Sequence, residues 1–140
     1  EEGEADRMLG EFVRVTKSGG KVGAVVRSTD LPRWVNLPIE GALKAKIDSP
    51  NFFAGNVNAG GCADASLYRR MNQAGLLNVT MLPQWASHKD GARLQYLHDR
   101  IESLLSGAEL SEWRGAVAAA RAQGTFFISE PFHCAVGIKP

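Results

Sequence analysis

Asp30 follows Arg27 just beyond a run of valines, and together they offer a carboxylate and a guanidinium. Such a pair either orients a polar ligand or bridges itself at a solvated loop tip, where an ion pair contributes little. Trp34, between Pro32 and Pro38, has the flat apolar surface that walls a ligand pocket, and it can equally pin its loop to a core. Trp85 and His88 close a second apolar run. Histidine titrates near neutrality and so suits a general base, although beside Ser87 it also reads as a surface residue opening a helix. His133 lies between Phe132 and Cys134, and strand alternation puts it on the face opposite both, which fits a structural histidine. His98, between Leu94 and Ile101, reads as the flank of a helix. Cys62 precedes a helical pattern and could carry a reactive thiol at its positive end or be an inert small residue. The other cysteine, Cys134, is far away, with no C-x-x-C pair and no histidine at ligand spacing, so neither a zinc site nor a disulfide framework is indicated.

The elements that must position these groups belong to one globular domain. The chain has 140 residues, 44% hydrophobic and 22% charged, enough to bury a core and too apolar for a disordered tail. Sixteen Lys and Arg against fifteen Asp and Glu give a net charge of +1 with no basic run, which argues against a nucleic-acid partner. No apolar run approaches the roughly 20 residues of a membrane span. The opening EEGEADR is acidic where a signal peptide is basic, so the expected compartment is the cytoplasm, with reduced thiols. The first residue is not methionine and the chain opens inside a helical pattern, as a piece of a longer protein would.

Apolar residues at helical spacing predict a helix over 4–16, stopped by Gly19 and Gly20. Residues 21–27 read as a strand covered on both faces by helices, with Val25 in the core. A loop over 28–38 leads to a short helix over 39–47 and a glycine-rich loop through Gly61. Asp64 is placed to cap a helix over 65–74. A strand over 76–84, a helix over 90–105 and a helix over 108–123 follow, the last with the capping-box spacing of Ser106 and Glu109. Residues 125–139 read as a final strand broken or bulged at Pro131.

This order, with LGEFVRVTKSGGKV and on through Val26 at residues 9–26, residues 64–76 and the closing AVGIKP, resembles the second half of a class I S-adenosylmethionine-dependent methyltransferase. The match is to the small-molecule group called type 11 or UbiE-like, whose L-x-E-x-x-R-V-L-K-P-G-G helix and turn it follows, with Ser18 in place of the usual proline. The resemblance implies an α/β fold that is the second half of a doubly wound, Rossmann-like sheet. It should have about three strands, the last antiparallel, and about five helices, with residues 28–62 and 86–123 forming the substrate-side loops and helices of a single half-domain 1–140. It also implies methyl transfer to a small molecule, with S-adenosylmethionine held mainly by the complete domain. The donor's own Gly-x-Gly loop after a strand, with an acidic residue about 20 positions on, is absent here, and Gly60-Gly61 follows a loop. The isolated chain should therefore be inactive.

Ligands of open α/β sheets lie beyond the carboxyl ends of the strands, which makes Arg27, Asp30, Trp34, Trp85 and His88 the expected substrate contacts. Ser28 and Gln84 lie at the same strand ends. An antiparallel last strand would bring Glu130, Phe132 and His133 to that edge as well. No residue can be named as catalytic from the sequence, because methyl transfer demands alignment more than acid–base chemistry. Two other classes remain open: a non-enzymatic α/β module that recruits a partner, and the back half of another nucleotide-binding enzyme such as a dehydrogenase. An unpaired apolar edge on strand 21–27 predicts self-association, and Val25→Lys would then unfold the chain.

Overall fold

The expected first helix forms as α1 (Glu2–Val15). The structure, a computed structural model, describes residues 2–39, 41–50, 52, 62–63 and 65–140. Past α1 the chain turns through Gly19, whose φ of 75° is left-handed, a region that side chains other than glycine enter only under strain. Gly20 is needed for space: a Cβ there would come within 2.6 Å of the Thr16 side chain and 2.8 Å of the Lys17 carbonyl. The turn is then tied down, Gly19 N–H donating to Lys139 O at 2.8 Å and Lys139 N–H to Gly20 O at 2.9 Å.

From this turn runs β1 (Lys21–Ser28), and here the structure corrects the expectation of cover on both faces. Val22 and Ser28 are buried and Ala24 and Val26 half-buried, whereas Lys21, Gly23 and Val25 are exposed, Val25 at 71%. The packed face meets α1 and α3 (Ser66–Gln73): Leu9, Val22, Leu67, Met71, Leu76 and Ala135 form one cluster. Val25 is therefore not core. Val25→Lys should change stability by less than about 0.5 kcal/mol and weaken any pairing at this strand's edge. Urea unfolding and light scattering on both forms check this; a variant that fails to fold would reinstate the buried position.

The strand β6 (Ile128–Ile138) pairs antiparallel with β1 from Lys21↔Ile138 to Arg27↔Phe132. It also pairs antiparallel with β4 (Leu77–Met81), at Leu77↔Ile138 and Met81↔Ala135. The two partners use overlapping residues of β6, so they lie on its opposite edges and run parallel to one another. On the far edge of β1, β3 (Cys62–Ala63) pairs parallel at Arg27 and Ser28 alone, which leaves residues 21–26 without a strand partner on that edge among the described residues.

Pro131 does not break β6. Pairing with β1 begins at Phe132, and pairing with β2 (Trp34–Val35) covers Ile128 and Ser129, so neither ladder asks for the missing N–H. The single strand expected over 76–84 is divided at Pro83 into β4 and β5 (Gln84–His88), and β5 also pairs with β6. His88 consequently ends a strand and does not open a helix. The described residues hold six strand segments, two of them only two residues long, where about three strands were expected, together with the expected five helices. The fold is mixed α/β, its sheet antiparallel except at β1–β3.

The remaining helices are α2 (Gly41–Asp48), α4 (Gly91–Glu102) and α5 (Gly107–Ala122). Ser106 stands at the N-cap of α5 but makes no side-chain cap bond, and Glu109 pairs with Lys46 at 2.7 Å, so the capping box is not formed. Asp64, Gly60, Gly61 and the thiol of Cys62 lie outside what is described; Ala65 holds the N-cap of α3. The chain divides into two compact units. One comprises residues 1–31, 53–84 and 131–140, and the other 32–52 and 85–130. No helix among the described residues is long and apolar enough to cross a membrane.

Candidate functional site

In the first unit the end of β1, the loop after it and β6 bring Ser28, Asp30 and His133 together. The Ser28 hydroxyl accepts the Leu31 N–H at 3.0 Å and the Asp30 N–H at 3.3 Å, and donates to Asp30 Oδ1 at 2.8 Å. This serine turn fixes how the chain leaves the strand. Asp30 Oδ2 accepts the Ala65 N–H at 3.1 Å, which ties the loop to the start of α3. Asp30 Oδ1 also faces His133 Nε2 at 2.5 Å. An ionised carboxylate can only accept, so Nε2 carries the proton and donates it. Nδ1 of the same ring is buried and has no partner among the described residues.

Burial pushes the Asp30 carboxyl up, but the hydrogen bonds from His133, Ser28 and the Ala65 amide outweigh it and hold the group below the ordinary carboxylate value. The arrangement is a carboxylate that accepts from one imidazole nitrogen and fixes the orientation of the ring. His133 is buried while Phe132 and Cys134 are half-buried, as alternation required. Arg27 does not bridge to Asp30. It alternates with Ser28 along β1, half-buried, with Phe132 as its register partner on β6.

In the second unit Glu130 is 1% exposed. Arg93 of α4 grips both of its oxygens, Nε to Oε2 at 2.7 Å and Nη2 to Oε1 at 2.6 Å, the two-pronged geometry a guanidinium suits best. The hydrogen bonds that Arg93 donates to Glu130 raise the Arg93 pKa further. His88 Nε2 stands 3.5 Å from Glu130 Oε2, too far for a hydrogen bond, and is buried without a partner.

Trp85 and Ser87 alternate with His88 along β5 and so face the other way. Trp85 stacks on Trp34 with ring centroids 4.7 Å apart and planes 9° from parallel. Its Nε1–H donates to Pro32 O at 3.1 Å. The Ser87 and Ser129 hydroxyls share a hydrogen bond of 2.6 Å. Of the expected contacts, Trp34 and Trp85 therefore meet directly, His88 joins Glu130, and Asp30 joins His133.

Sequence reasoning missed Arg93, although a glutamate inside FFISEPFHCAV was the signal that some cation must reach into that strand. His98 is also corrected. Its ring is largely buried, 6.0 Å from Trp113 and 6.2 Å from Phe126 between centroids, so it belongs to an aromatic cluster of the second unit and not to a flank. A groove of about 480 Å³ lined by Lys89, Leu94, Arg121 and Phe126 shares no residue with the Ser28–Asp30–His133 or the His88–Arg93–Glu130 group. No group of three or more His, Cys, Asp or Glu among the described residues could hold a metal ion. Compared with known proteins, the chain matches no family model and no curated protein.

Proposed function

We propose that this chain supplies the acceptor-side half of a methyltransferase domain that moves a methyl group from S-adenosylmethionine to a small molecule. The observation that carries the reading is β6 running antiparallel between the mutually parallel β1 and β4, with β1 entered from α1 through the Gly19–Gly20 turn. A terminal strand of that direction is what the resemblance implies. In the first unit, Arg27 and Asp30 would orient the acceptor, with His133 holding the Asp30 carboxylate in place.

The methyl donor does not fit the described residues. Its nucleotide calls for a glycine-rich loop opening a helix directly after a strand. β1 runs instead into the serine turn at Ser28, and β5 is followed by Lys89, Asp90 and the single Gly91. Calorimetry of S-adenosylmethionine into this 140-residue chain should accordingly show no stoichiometric micromolar binding. A longer protein that includes the coding segment upstream of Glu1 should bind the donor. Tight binding to the chain alone would overturn the reading.

A second reading, a non-enzymatic interaction module, is favoured by the open edge at residues 21–26 and the exposed Val25. A donor-free longer protein that pairs through this edge would favour it.

A further inference from the structure

We propose that the Trp34–Trp85 pair is a binding platform for a planar, electron-poor aromatic ring, neutral or cationic, which stacks as a third layer on the outer face of Trp34. In a near-parallel pair each indole gives one face to the other. Trp85 is half-buried, with its N–H committed to the Pro32 carbonyl, whereas Trp34 is 53% exposed. The open face therefore belongs to Trp34. A tryptophan that served only to pin its loop would be buried, as Trp113 of the same unit is at 0% exposure.

The platform is held rigid before any ligand arrives. Trp34 pairs with Ser129 and Val35 with Ile128 in the ladder to β6, and Val35 is itself buried. Asn36 follows, its N–H donating to Phe127 O at 3.2 Å and its side chain to Thr125 O at 2.7 Å. A surface held this way loses little conformational entropy on binding. The negative π-face of indole selects the ligand class, since electron-poor planar rings stack on it over their whole face, whereas a saturated ring of equal size, even a cationic one, keeps only the attraction of its charge. The inference does not depend on methyl transfer, because no donor or transferred group takes part.

The test titrates the chain with N-methylquinolinium, with quinoline, and with the fully saturated N-methyl-decahydroquinolinium, following tryptophan fluorescence and the indole N–H resonances. The planar probes should quench emission saturably and move the Trp34 and Trp85 signals while leaving Trp113 in place. The saturated cation should bind at least about tenfold more weakly, and Trp34→Leu should weaken the planar probes by a similar factor. Trp34→Phe, which keeps a smaller ring, should weaken them only a few-fold, and it serves if the leucine variant fails to melt cooperatively. Equal binding of the saturated cation, unchanged binding by the Trp34 variants, or shifts that never saturate would overturn the proposal.

Discussion

Arg93→Met should destabilise the protein by about 3 kcal/mol. Glu130 is 1% exposed, and Arg93 donates a hydrogen bond to each of its carboxylate oxygens. Without the guanidinium, a charge remains in a place water does not reach. Breaking a buried pair from one side costs about 3–5 kcal/mol, and the low end applies because the Arg93 side chain is itself 36% exposed. His88 cannot take over at its present 3.5 Å without moving. The double variant Arg93→Met/Glu130→Leu should recover most of the loss, since removing both charges leaves nothing uncompensated. Urea unfolding of the single and double variants gives the coupling directly. A single variant less than about 1 kcal/mol weaker than the parent would mean that the carboxylate finds water after all.

Asp30→Ala should cost about 2 kcal/mol, from a different cause. The substitution removes acceptors for His133 Nε2, the Ser28 hydroxyl and the Ala65 amide at once. The last two can turn to water beside a carboxyl that is 38% exposed, but His133 is buried and would then have neither nitrogen paired. The same group gives stability a pH dependence of known sign. The folded-state pKa of Asp30 lies below its unfolded value, so its contribution is complete above the ordinary carboxylate pKa of about 3.9. It falls as acid approaches that value and is gone once the pH has dropped through the folded-state pKa. Asp30→Asn keeps the shape without the titration, and the drop in stability between neutral and strongly acid solution should be smaller for it than for the parent. Equal drops would place the acid response elsewhere.

What the sequence disclosed is what local physics determines. α1, its glycine stop and the strand after it were legible because helical period, left-handed glycine and β-branched run are all contained within neighbouring residues. The alternation that buries His133 was legible for the same reason. Whether β1 is covered on one face or two was not, because a run such as VGAVV reads alike in either setting until its partners are known. Pro131 was misjudged because a proline interrupts a strand only where a partner asks for its N–H, and that depends on where pairing with β1 and β2 stops.

The site divides along the same line. Asp30, Trp34, Trp85, His88 and His133 could be nominated by residue type, but not their pairings. Asp30 meets His133 across 103 positions and Arg93 meets Glu130 across 37, separations over which a sequence carries no periodic signal.

The pairing of β6 also bears on the order in which this protein can be made. β1, β2, β4 and β5 all emerge from the ribosome before β6, and each pairs with it. A nascent chain halted before residue 128 can form its helices, but four strands have no central neighbour and their backbone donors wait in solvent or on a chaperone. Sheet closure joins Lys21 to Ile138 and comes last, so folding should be slow for a chain of this size. The interval between the emergence of β5 and that of β6 is when these strands are most exposed to aggregation and proteolysis.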